Sequence, residues 1–188
     1  MKSMTKRLLA ALLAVAALFA LAGCSKSDKA DAAPKDYTKI LHDARPDEDN
    51  EYYMICSPGE DGKFTAQYGY SDSYDAAQLD EEIRNMLLPL LNLEEDMYTD
   101  FAASVSGMMV QSYGIAIVKP AEGKQQAVSE ALDAYVQSQM QSMEHYLEDQ
   151  YQIAKAAKVE VLPSGEVVLV CCENSDAVLS AIKTALAA

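Results

Sequence analysis

Two periodicities alternate along the chain and lay out most of its elements. Leu79, Ile83, Met86, Leu87 and Leu90 recur at steps of three and four, which predicts an amphipathic helix over residues 75–92, kinked or ended by Pro89. FAASVSGMMV (Phe101 to Val110) and SYGIAIVKP (Ser112 to Pro120) are rich in apolar and β-branched residues and read as two tightly joined strands. After Pro120 the period changes: Val128, Leu132, Tyr135, Val136, Met140, Met143, Leu147 and Tyr151 fall at helical spacing, predicting one long helix over residues 121–156. Lys158 to Leu162 and Glu166 to Cys172 read as strands around a Pro163-Ser164-Gly165 turn. Ser175 is placed to cap a final helix whose Val178, Leu179, Ile182 and Leu186 face the core.

Upstream, YYMICSP and KFTAQYGY flank the turn-rich GEDG and predict a tyrosine-rich hairpin, with a short helical turn over residues 37–44 before it. From residue 101 the order is ββαββα. The expected fold class is therefore α+β, an antiparallel sheet with helices covering one face in two layers, preceded by the hairpin and one helix.

The N-terminus carries a different signal. Lys2, Lys6 and Arg7 precede an uncharged run from Leu8 to Leu21, which at 14 residues falls short of the roughly 20 that span a bilayer. The run closes on Leu21-Ala22-Gly23-Cys24, which resembles the lipobox of bacterial lipoproteins. The resemblance implies that residues 1–23 are removed as a signal peptide and that Cys24 becomes the lipidated first residue. The mature chain would then be held on the extracytoplasmic face of the cell membrane. Residues 24–36, small, polar and charged, are expected to be a flexible tether, and residues 37–188 a single domain.

Charge narrows the partners. The chain has a formal net charge of −14, and loss of residues 1–23 removes three basic and no acidic residues, leaving −17. Such a surface repels nucleic acid and anionic headgroups, so nucleic-acid function is excluded. Beyond Cys24 three cysteines remain, Cys56, Cys171 and Cys172. They do not form a disulfide framework, and no C-x-x-C spacing offers a zinc site. The alternation of a strand puts Cys171 and Cys172 on opposite faces, so neither a mutual disulfide nor a shared metal is expected. Pairing of Cys56 with one of them depends on where the hairpin lies.

The C-terminal part, SYGIAIVKPAEGKQQAVSEAL, then EDQYQIAKAAKVEV and GEVVLVCCENSDAVLSAIKTAL, resembles the DUF4358 family of lipoproteins, found mainly in Firmicutes. The marks are the Ile117-Val118-Lys119 strand ending, a following Glu- and Gln-rich helix, and a late Gly-x-Val-Val strand before a terminal helix. The resemblance covers residues 75–188 and implies no catalytic residue, because the family has no assigned function.

The candidate chemistry is sparse. His42 and His145 stand in no hydrolase motif, Ser106-Gly107 lacks the nucleophile-elbow frame, and no glycine-rich loop cradles phosphate. No enzyme and no cofactor is expected. Glu144, His145, Glu148 and Asp149 could share a helix face as metal ligands do, but the same stretch must also present a solvated surface, so no metal is assigned. The acidic cluster Asp47 to Glu51 lacks the spacing of a calcium loop. Of the 11 tyrosines, Tyr52, Tyr53, Tyr68, Tyr70 and Tyr74 crowd the hairpin, and the first four form the candidate binding surface. The expected function is a noncatalytic envelope module that binds a protein or cell-wall component. The alternatives are a small solute-binding accessory of a transporter and an enzyme with an unrecognised site.

Overall fold

The central strands are apolar on both of their faces, and that decides the architecture. Val167 to Cys171 reads VVLVC and Gly114 to Val118 reads GIAIV, with every one of these residues buried. A strand with one wet face alternates apolar with polar, so an unbroken apolar run requires cover on both sides. The computed structural model describes residues 35–108 and 110–188. The chain divides between Lys35 and Asp36, and the following concerns the unit Asp36–Ala188. The expected signal peptide, Cys24 and the expected tether up to residue 34 lie outside the described residues.

Six described strands form one antiparallel sheet in the order β2-β1-β3-β4-β6-β5. They are β1 (Ile55–Pro58), β2 (Phe64–Gln67), β3 (Tyr98–Val105), β4 (Gly114–Pro120), β5 (Lys158–Val161) and β6 (Val167–Cys171). The helices are α1 (Tyr37–Ala44), α2 (Asp47–Tyr52), α3 (Ala76–Glu82), α4 (Gln125–Met143), α5 (Glu148–Ala156) and α6 (Ser175–Ala187). The α3 helix starts from a capping box of Asp75 and Gln78 and runs on through a wide turn, Ile83–Leu87, to Leu90. The fold is α+β, with the hairpin β1-β2 formed as the sequence predicts.

Helices lie on both faces of the sheet rather than on one. Phe101, Ala103, Ala116, Val118, Val167 and Leu169 pack against α3, α4 and α5. Ala102, Ile115, Ile117, Val168 and Val170 pack against Tyr37 and Leu41 of α1 and Val178, Leu179 and Ile182 of α6. The arrangement is three layers, and the residues that require the third are the alternate apolar positions of β4 and β6.

Three further expectations are corrected. The predicted long helix is two, α4 and α5, separated at residues 144–147, where Leu147 takes φ −138° and ψ 85°. Both helices turn their apolar residues to the same core, so the helical spacing runs on through the break. The predicted strand Phe101 to Val110 is displaced: β3 starts at Tyr98 and ends at Val105, and the connection to β4, whose described residues are 106–108 and 110–113, is the 106–113 loop. Its neck is closed by the Ser106 N–H donating to the Tyr113 carbonyl at 3.0 Å. Ser175 does not cap α6. The chain enters that helix through Asn174 in the left-handed region (φ 58°), and the Ser175 hydroxyl donates to the Ala156 carbonyl at the end of α5, 3.2 Å away.

Cys171 and Cys172 face opposite layers, and both are buried, as is Cys56. Cys56 and Cys171 share a face, but the register Cys56–Ala103–Ala116–Leu169 puts β1 and β6 three strands apart. At about 4.8 Å per strand that is roughly 14 Å, well beyond the reach of a disulfide. All three are free thiols. Burial pushes each of them up to about 12, which leaves them inert as nucleophiles.

Candidate functional site

The ends of β3 and β6 and the starts of β1 and β4 meet at one end of the sheet. The elements that gather there are α2, the 106–113 loop and the turn after β6. Pro46 brings α2 into place: it holds Arg45 extended (φ −104°, ψ 161°), which ends α1, and is itself the residue from which α2 begins. In the single turn-and-a-half of α2, Glu48 and Asp49 precede Tyr52 by four and three residues, so all three project towards one side.

The same step turns the Arg45 side chain inward. It is 5% exposed. Its guanidinium donates to Ser104 Oγ at 2.6 Å, Tyr113 Oη at 3.2 Å, the Tyr53 carbonyl at 2.7 Å and Asn50 Oδ1 at 2.6 Å. Asn50 in turn donates to the His42 carbonyl at 3.0 Å. A buried cation satisfied in this way ties the end of α1, α2, the chain entering β1, β3 and the 106–113 loop to a single point.

Above the arginine the Tyr53 and Tyr113 rings stack at 3.8 Å with 13° between their planes. The Tyr53 hydroxyl donates to Gln111 Oε1 at 2.9 Å, and the Ser106 hydroxyl donates to the same oxygen at 3.2 Å. Ser106 Oγ accepts from the Met108 N–H at 3.1 Å, and Tyr135 donates to the Tyr113 carbonyl at 2.9 Å. From α5, Gln150 Oε1 accepts the Ser112 N–H at 2.9 Å. Ser106, Met108, Gln111, Ser112 and Tyr113 are therefore each held by a side-chain hydrogen bond, as a preorganised rim should be.

Between this rim and α2 lie two adjoining cavities of about 240 and 510 Å³, both lined by Glu48, Asp49, Tyr53 and Gln111. The smaller adds Ser112, Gln150 and Glu173; the larger adds Tyr52, Tyr70 and Met108. No basic side chain lines either. Burial holds the Asp49 carboxyl above its ordinary range, with Glu48 and Glu173 adding to the shift, while Arg45 and a hydrogen bond with Tyr113 oppose it.

The four tyrosines singled out from the sequence do not form one surface. Tyr52, Tyr53 and Tyr70 meet at the larger cavity, with Tyr52 and Tyr70 edge to face at 6.3 Å and 51% and 56% exposed. Tyr68 lies apart, its ring 4.2 Å from that of His42 on α1. The corner that separates Tyr68 from Tyr70 depends on Gly69, at φ 51°, where a Cβ would come within 2.7 Å of the Tyr53 backbone. Arg45, Gln111, Tyr113 and Glu173 carry no motif. The one local sign is Arg45-Pro46, which marks a chain turn but not a buried charge. His145 is far from any such arrangement: its side chain is 79% exposed, and the break after α4 keeps it off a common helix face with Glu148 and Asp149. Among the described residues no group of three or more His, Cys, Asp or Glu side chains could hold a metal ion.

An apolar cavity of about 440 Å³ lies elsewhere, between α3 and β1, lined by Met54, Leu79, Ile83, Met86 and Leu90 among others. Among the described residues no helix is long and apolar enough to cross a membrane. No curated protein and no solved structure matches the chain. A domain of unknown function, DUF4358, matches residues 71–173, from the turn before α3 to the end of β6, and so includes the loop side of the cleft but neither α2 nor α6. That span is more than half of the chain, and the protein belongs to the DUF4358 family.

Proposed function

We propose that this protein is a noncatalytic binding module of the cell envelope, held to the outer face of the membrane by lipid on Cys24, and that its binding site is the cleft between α2 and the 106–113 loop. One observation carries the site: two half-exposed tyrosines, Tyr52 and Tyr70, stand over a cavity whose opposite wall carries Gln111, held by hydrogen bonds from the Tyr53 and Ser106 hydroxyls. Exposed aromatic rings on a rigid floor give up little conformational freedom on binding, which is what a recognition surface needs. At the cleft the Ser112 hydroxyl makes no hydrogen bond to a base and burial raises the Cys172 thiol, so binding rather than turnover is the chemistry we read there. The partner is an envelope protein or a wall component.

Anchoring and binding are tested separately. Cys24→Ala is expected to move the protein from the membrane fraction to the medium and to abolish labelling by a fatty-acid probe; unchanged retention sinks the anchor. Crosslinking in intact cells is expected to recover a partner with the wild-type protein and to lose it with Tyr52→Ala/Tyr70→Ala at an unaltered melting temperature. Equal recovery with both proteins would move the binding site elsewhere.

A further inference from the structure

We propose that the cleft recognises an organic cation: an ammonium group carried on an apolar stem, whether a free amine or a lysine side chain of a partner. The inference deepens the binding-module reading and rests on it. Charge comes first. Glu48, Asp49 and Glu173 line the two cavities with no basic side chain among the lining residues. Arg45 lies behind the wall, 5% exposed, with four of its five N–H donors taken by Ser104, Tyr113, Asn50 and the Tyr53 carbonyl. An anion entering the cleft would meet carboxylates, and a divalent metal would find no convergent set of ligands among the described residues.

Shape and surface chemistry agree. Tyr52 and Tyr70 present aromatic faces and edges beside the carboxylates, the arrangement in which a cation is drawn to ring π-systems as well as to charge. Met108, 55% exposed at the rim, and the body of Tyr53 offer apolar contact to the stem. Independently of the acids, Ser112 in the wall of the smaller cavity is 3% exposed and its hydroxyl oxygen has no hydrogen-bond partner. A buried hydroxyl left in this state is costly without a ligand, and an ammonium N–H would supply the missing donor.

The test uses the full-length protein in nonionic detergent, with butylammonium, butyltrimethylammonium, a short neutral peptide containing one lysine, and butanol as the uncharged control. Binding is followed by isothermal titration and by tyrosine fluorescence. The cations are expected to bind saturably in the millimolar range or tighter and butanol not to bind. Loss of one ring, in Tyr52→Leu, is expected to weaken the cations about 2- to 30-fold. Glu48→Gln weakens them too, while the remote Glu144→Gln and Tyr146→Leu leave them unchanged. Tighter binding of the peptide identifies the source as a protein side chain, and tighter binding of the free amines a small molecule; both support the proposal. It is overturned if butanol binds as well as the cations, if no probe saturates, or if Glu144→Gln weakens binding as much as Glu48→Gln. In those cases a crosslinked partner still lost in Tyr52→Ala/Tyr70→Ala would leave the binding-module reading standing without the cation.

Discussion

At the scale of single residues the site is organised by an arginine that no pattern announces. Arg45 sits between a helix end and a proline, a context that reads as a surface turn, and its burial follows only once β3 and the 106–113 loop bring Ser104 and Tyr113 over it. Arg45→Ala leaves four acceptors without their donor and is expected to cost about 3 kcal/mol, seen as a lower urea midpoint at unchanged slope. Arg45→Lys is expected to restore little, because a single ammonium cannot reproduce the fork. Asp49 acts in the opposite sense. Its folded-state pKa is raised by burial, so the native chain holds that proton more tightly than the unfolded one and loses stability as pH rises through the window between the two values. Asp49→Asn removes that liability. The variant is expected to melt higher than wild type at pH 7, with the difference shrinking towards pH 4, where the carboxyl is increasingly protonated in both states. A variant that melts lower at pH 7 would show that the Tyr113 hydrogen bond and Arg45 outweigh burial. The tyrosines, by contrast, were legible as a cluster from their density alone; which of them converge depends on a corner at Gly69 that spacing does not reveal.

At the scale of elements, periodicity located nearly every helix and strand and misplaced their ends wherever two elements share one core. The break between α4 and α5 contains Glu144, His145, Tyr146 and Leu147, with neither glycine nor proline to signal it, and Met143 and Ala154 on either side face the same layer. Apolar Met108 and Val110 extend the strand pattern past Val105, yet they are 55% and 58% exposed, and Met108 stands at the rim of the cleft. Apolar residues kept in solvent on a braced loop are a binding feature that resembles a strand end in sequence. The same loop is braced by the fit of Tyr135 against Gly114, where a Cβ would lie 2.6 Å from the tyrosine hydroxyl. Gly114→Ala is expected to destabilise the protein by about 1–3 kcal/mol in thermal melts. Because Tyr135 also holds the Tyr113 carbonyl, the loop amides should lose exchange protection before the rest of the sheet does. Strand alternation separates Cys171 from Cys172, but only the sheet order settles Cys56: in Cys24→Ala protein, unfolded without reductant, thiol titration is expected to find all three. A count of one would mean that a disulfide joins positions the sheet holds roughly 14 Å apart.

At the scale of the whole molecule, the three-layer arrangement was written in β4 and β6, whose unbroken apolar runs leave no face for water. The ββαββα order alone suggested helices on one side, because it says nothing of α1, which comes first in the unit and is one of the two helices of the second layer. The family match has the same blind spot: residues 71–173 carry β3 to β6 with α3, α4 and α5, but not α1 or α6. A chain limited to that span would leave Ile115, Ile117, Val168 and Val170 uncovered. The lost partners include Tyr37, Leu41, Val178, Leu179, Ile182 and Leu186, all buried in the complete unit. At about 2 kcal/mol each their burial contributes roughly 12 kcal/mol as an upper estimate, comparable with the 5–15 kcal/mol that separates folded from unfolded domains. A fragment of residues 71–173 is therefore expected to aggregate or to show no cooperative melting transition, whereas residues 36–188 are expected to melt in a single step. A cooperative transition in the shorter fragment would mean that the second layer is dispensable. The first and last helices would then serve the cleft, which needs α2 held in place behind α1, rather than the stability of the sheet.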